Sequence, residues 1–95
     1  MINGDLNEFV NLLYYGQEIV FIYQNKKYFV QGYSTEHNPN ATMELVEVND
    51  QPFKGYLWEC QADTMRECAE AFLAATIWDG KDFMQIQEEV IWSDW

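Results

Sequence analysis

A hydroxyl, a carboxylate and the chain's single imidazole stand together in Ser34-Thr-Glu-His37, the residue types of a nucleophile, an orienter and a base. Such groups do chemistry when separate elements hold them in fixed geometry, and residues bunched in one loop seldom achieve it. The stretch therefore reads as a solvated turn, with Glu36 and His37 as polar surface and no catalytic residue assigned. Paired carboxylates at Glu67/Glu70 and Glu88-Glu89 raise a second possibility, acid–base work or a hard cation. Acid–base work needs one carboxyl pushed by burial, and a calcium loop needs alternating oxygen ligands around a Gly bend. Neither arrangement is present, so these acids are read as exposed helix surface. Cys60 and Cys68 match no zinc or redox spacing, and one histidine does not complete a Cys/His site. Both are read as free structural thiols, and neither a metal nor a cofactor is expected.

Charge gives these acids another use. Across 95 residues, 16 Asp and Glu outweigh 5 Lys and Arg, for a net charge of −11 spread from Asp5 to Asp94. Phosphate recognition rests on Lys and Arg displacing counterions, so direct nucleic-acid binding is disfavoured, as is an anionic membrane. A basic protein surface, including one that otherwise holds nucleic acid, is the natural counterpart; the competing reading is that the charge only solubilises an aromatic-rich chain. At helical spacing Glu67 and Glu70, then Asp82, Gln85 and Glu89, would fall on one side with Cβ atoms ~5–6 Å apart, a row of negative charge. Glu67, Glu70, Asp82, Glu88 and Glu89 are the expected acidic contacts.

The elements that must position these residues follow from periodicity. Asp5 and Glu8 cap a helix over 5–15, whose stripe Leu6, Phe9, Val10, Leu13 ends at Gly16. Glu18 to Tyr33 reads as a β-hairpin turning at Asn25-Lys26, with Tyr23 opposite Tyr28 and Phe21 opposite Val30. One face then carries Ile19, Phe21, Tyr23, Tyr28 and Val30; the other carries Val20, Ile22 and Phe29, which also need cover, from helices or another chain. After an Asn-Pro turn, Thr42 to Val48 is a third strand with a bulge expected at Leu45-Val46. A turn follows at Asn49 to Pro52, and Phe53 to Cys60 is a fourth strand or an extended segment. Thr64-Met-Arg-Glu67 fits a capping box and opens a helix that Asp79-Gly80 closes; Phe83, Ile86 and Val90 space a third. Core packing is expected for Trp58 and Trp78. Trp92 and Trp95 either dock back on the sheet or anchor an interface.

The expected architecture is one α+β domain over 1–95, in the order α-β-β-β-(β)-α-α. Its antiparallel sheet has three or four strands, with helices packed on one face. A composition of 48% hydrophobic and 17% aromatic residues supports such a core. With no apolar run of ~20 residues and no signal-peptide pattern at the N-terminus, a cytoplasmic location is expected.

Leu13 with Gly16-Gln-Glu-Ile19-x-Phe21-x-Tyr23, then Asn25-Lys-Lys-Tyr28, and Asp79-Gly-Lys81-x-Phe83-x-x-Ile86 towards Trp92 resemble a family of small uncharacterised proteins of Gram-positive bacteria and their phages. The match is loose between 34 and 60. In that family the hairpin turn is usually Asn-Gly and the outward positions of its first strand are often acidic, where this chain has Asn25-Lys26 and Val20, Ile22. Element order, length and charge are also similar to the small anti-CRISPR proteins that occupy the DNA-reading site of Cas9, with no shared motif. The resemblance implies a non-catalytic inhibitor or nucleic-acid mimic of phage or mobile-element type acting on a basic partner. The alternative is a structural homodimer or host-complex subunit assembled through Val20, Ile22, Phe29, Trp92 and Trp95.

Overall fold

A computed structural model describes residues 1–35, 40–49 and 55–93. Glu36, His37, the Asn-Pro turn, the 50–52 part of the next turn, Phe53, Asp94 and Trp95 lie outside the described residues. Helix α1 spans Leu6–Tyr14; the Asp5 carboxylate accepts from the Glu8 amide, and Phe9 and Leu13 are its buried stripe. Asn3 lies ahead of the helix with φ +64°.

The hairpin pairs β1 (Ile19–Tyr23) with β2 (Lys26–Tyr33), and its turn falls one residue earlier than the sequence suggests. Gln24 and Asn25 take the two positive φ values, +51° and +64°, that a tight hairpin turn demands, leaving Lys26 free to begin β2. Phe21 consequently faces Tyr28, and Ile19 faces Val30. This is a two-residue slip from the expected pairing. Because side chains alternate with a period of two, the slip changes partners and leaves every residue on its expected face.

Strand β3 (Ala41–Val48) pairs with β2 without interruption, so no bulge forms at Leu45-Val46. The adjacent apolar residues instead fill both faces, Leu45 buried beneath the helices and Val46 opposite Phe29 on the other side. Strand β4 (Trp58–Ala62) continues the sheet. Helix α2 (Met65–Ala74) starts where Thr64 Oγ1 accepts from the Glu67 amide, but ends well before Asp79-Gly80. Those two residues form a separate tight turn, at φ +55° and +81°, inside a bridge between Trp78 and Lys81. Helix α3 is only Phe83–Ile86, and it carries the complete capping box: Asp82 accepts from the Gln85 amide while Gln85 Oε1 accepts from the Asp82 amide. A 3-10 turn over Gln87–Glu89 leads into a strand the sequence reading lacked, β5 (Ile91–Ser93).

The result is an α+β fold with an antiparallel five-stranded sheet in the order β4-β3-β2-β1-β5. All three helices lie on one face. There Phe9, Leu13, Phe72, Phe83 and Ile86 pack on Ile19, Phe21, Val30, Met43 and Leu45 in one cluster. Rings stack within it: Phe9 lies 4.9 Å from Phe83 at 13°, and Trp78 meets Phe21, Phe72 and Phe83 edge-on at about 6 Å. Gly16 and Gly32 let the α1–β1 junction cross the end of β2. A Cβ on Gly32 would collide with Met65 Sδ and stand 3.0 Å from Gly16 Cα. The N-terminus closes the far edge, Ile2 donating to Val90 and accepting from Trp92.

Candidate functional site

The face of the sheet away from the helices carries no helix among the described residues, although Val20, Thr42 and Glu44 on it are buried. Its register builds two unlike halves. Ser93, Val20, Phe29 and Val46 form one cross-strand row, and Ile91, Ile22, Lys27 and Val48 form the next. Val20 is only 3% exposed, yet among the described residues it is the one buried hydrophobic residue outside the core cluster. Ile22, Phe29, Val46 and Val48 are half-buried.

The other half is acidic. Gln31, Glu44 and Glu59 face one another across β2, β3 and β4. Glu44 is 7% exposed and makes no ion pair with any described residue. Gln31 Nε2 donates to its Oε1 at 2.8 Å, and the Tyr33 hydroxyl donates to its Oε2 at 3.4 Å. The Tyr56 hydroxyl is within reach of the same carboxylate. The negative charge of Glu44, assisted by partial burial and the hydrogen bond to it, raises the pKa of both tyrosines above the ordinary phenol value. Both remain protonated donors at neutral pH. Glu59 stands directly opposite Glu44, and like charges in that position repel. A cation brought to this spot would relieve the repulsion and complete the hydrogen-bonding capacity of the two carboxylates.

The expected contacts divide between two sides of the molecule. Val20, Ile22 and Phe29 are together on the open face as the strand pattern implies. Trp92 is on the other face: it pairs with Phe21 in β5 and packs on Phe9 at 5.6 Å with Gly4 against it. Of the two uses foreseen for it, docking on the sheet is the one observed; Trp95 lies outside the described residues. Glu67 and Glu70 are exposed on the helical layer, Glu70 bonded to Arg66 at 3.0 Å. The row foreseen along a third helix does not form, because α3 stops at Ile86 and Asp82 spends its carboxylate on the cap. Glu88 and Glu89 remain exposed in the 3-10 turn. Glu44 and Glu59 were passed over in the sequence, although the alternation Thr42-Met43-Glu44-Leu45 already sets Glu44 on the outward side.

Cys60 and Cys68 are free. Burial, and then the neighbouring Cys60, pushes the Cys68 thiol up to about 11, while its Sγ donates to the carbonyls of Ala41 and Cys60 at 3.6 and 3.7 Å. A thiol so protonated and enclosed is a poor nucleophile. Ser34 and Thr35 are exposed, and their would-be partners Glu36 and His37 lie outside the described residues. Among the described residues no group of three His, Cys, Asp or Glu is placed to hold a metal ion, and no helix is long and apolar enough to cross a membrane. Comparison with protein-family models, with curated proteins and with solved structures finds no match. The phage-family and anti-CRISPR likenesses thus rest on the sequence features alone.

Proposed function

We propose that this is a non-catalytic interaction protein that engages a basic partner surface through its open sheet face. The observation that carries the reading is the juxtaposition on that face of half-buried Ile22 and Phe29, beside the largely covered Val20, with the exposed Glu59 opposite the buried carboxylate of Glu44. An apolar patch beside a polar, charged one is the composition of a protein interface, where buried aromatic contacts supply affinity and charge supplies orientation and encounter rate. A net charge of −11 directs the choice of partner towards a basic surface, and nucleic-acid enzymes present such surfaces. Inhibition by occupying that surface is the role consistent with the phage-like and anti-CRISPR-like features of the sequence.

Self-association through the same face is the second reading, supported by the apolar row alone. Charge argues against it, since each copy would bring −11 to the contact. Sedimentation distinguishes the two, a monomer at high micromolar concentration being the expected result. Binding to a panel of nucleic-acid enzymes, guide-loaded Cas9 included, should weaken as salt rises and should drop about tenfold or more for Ile22→Glu. Affinity independent of salt would remove the electrostatic part of the proposal. Unchanged affinity in Ile22→Glu would move the interface off this face.

A further inference from the structure

A second feature lies at one end of the sheet, where two tight turns converge. Tyr23-Gln-Asn-Lys26 and Trp78-Asp-Gly-Lys81 follow the same plan: an aromatic residue, two residues at positive φ, then a lysine paired back to the aromatic. In the second turn Trp78 and Lys81 exchange both backbone hydrogen bonds, at 3.2 and 3.0 Å. Between the turns is a cavity of about 260 Å³, lined by Tyr23, Tyr28 and Trp78 together with Lys26, Lys81 and Asp79.

What lines the cavity is mostly donors. Neither lysine makes an ion pair with a described residue, although acids outnumber bases 16 to 5 in the chain. Trp78 is 6% exposed, and its buried indole N–H has no hydrogen-bond acceptor among the described residues. The Tyr28 hydroxyl lies near enough to interact with that N–H without reaching hydrogen-bond geometry. Burial and the nearby Glu47 raise the pKa of Tyr28, keeping its hydroxyl a donor. Buried donors without acceptors are rare, and an acceptor arriving in the cavity is one way to satisfy this one. Two ammonium groups stand at the rim with the Asp79 carboxylate, and Glu47 lies beside Tyr28, so the charges there are close to balanced. The aromatic rings meet Trp78 edge-on, Tyr23 at 6.5 Å and Tyr28 at 6.2 Å, and offer the cavity only the small part of each ring that is not buried. The volume is at the small end for ligand pockets, which limits the occupant to a compact molecule. The turns are closed by backbone bonds, so little ordering is needed on binding.

From these features we propose that the cavity between the two turns binds a small monocarboxylate with a planar apolar body, its carboxylate held by Lys26 and Lys81 and its body on Trp78 and Tyr23. The site is separate from the open sheet face and does not depend on the partner proposed for it. The rest of the molecule repels anions, but screening over roughly 8 Å at physiological salt confines the contest to the groups at the rim.

Benzoate is the test ligand, followed through the tryptophan indole N–H resonances of the full chain, with Trp78→Phe assigning the Trp78 signal. The expected result is a saturable shift centred on Trp78, weakened about tenfold by the exposed double substitution Lys26→Gln/Lys81→Gln. Neutral benzamide should bind measurably less. Inorganic phosphate should also bind less, because it has no planar body and its larger negative charge is repelled by Asp79 and Glu47. No saturable shift with benzoate would overturn the site. Equal binding of benzamide, or undiminished binding in the double variant, would overturn the carboxylate assignment. Phosphate binding tighter than benzoate would overturn the choice of ligand.

Discussion

The two faces of the sheet are made by the same strands in the same register, and they solve the burial problem differently. On the covered face Phe21 is 0% exposed, clamped by the rings of Phe9 from α1, Phe83 from α3 and Trp78. Eight residues on, Phe29 stands half-buried on the face away from the helices, with Val20 and Val46 beside it. A fully enclosed side chain cannot be removed without leaving a cavity, whereas a half-buried one leaves a space that water can fill. Both residues are phenylalanine, so the difference in burial follows from which face the helices reach.

The sharpest break of that comparison is a pair of truncations followed by urea unfolding. Phe21→Ala should cost about 3–5 kcal/mol, a large part of the stability of a domain this size, and Phe29→Ala about 1 kcal/mol. Equal losses would mean that the open face is core. Next comes Gly32→Ala, which forces a methyl between Met65 and the Gly16 backbone on the covered side and should cost about 1–3 kcal/mol. Lys27→Ala, on the open side of the same strand, should stay within about 0.5 kcal/mol.

An alkaline titration sharpens the covered side further. The Cys68 thiol titrates at about 11 in the folded chain, above its ordinary 9.0. The unfolded chain therefore loses this proton first. The stabilisation is fully present below pH 9 and is lost as pH rises through the window from 9 to about 11. Subtracting the pH–stability curve of Cys68→Ala should isolate that loss, and iodoacetamide should label Cys60 before Cys68. The smallest effect is expected at the surface of the helical layer. Glu70→Gln breaks an exposed pair with Arg66 and should change stability by only about 0.3–0.5 kcal/mol by chemical denaturation.

Much of this organisation is legible from residue spacing. The stripe Phe9, Leu13 and the alternation Ile19, Phe21, Tyr23 name the covered face correctly even though the turn is displaced by one residue and the pairing by two. The strand β5 escapes notice because Ile91-Trp-Ser93 is too short to show a period, and it forms only because β1 offers an unpaired edge. Asp79-Gly80 misleads for a related reason: the dipeptide marks a turn, and spacing does not say whether a helix or a bridge precedes it. On the open face Val20, Ile22 and Phe29 were readable from the alternation alone. The meeting of Glu44 with Glu59 was not, since it depends on how β3 and β4 align.

The sequence by itself determined the helix starts, the inward and outward sets of the hairpin, the acidic balance and the scarcity of groups for catalysis. These are local properties, written in capping residues, periods of two and 3.6, and counts. Tertiary structure alone decided that Trp92 turns inward, that Glu44 meets Glu59, and that Lys26 and Lys81 border one cavity. Those outcomes join residues far apart in the chain, and their relative position is set by how the layers pack, which no local period encodes.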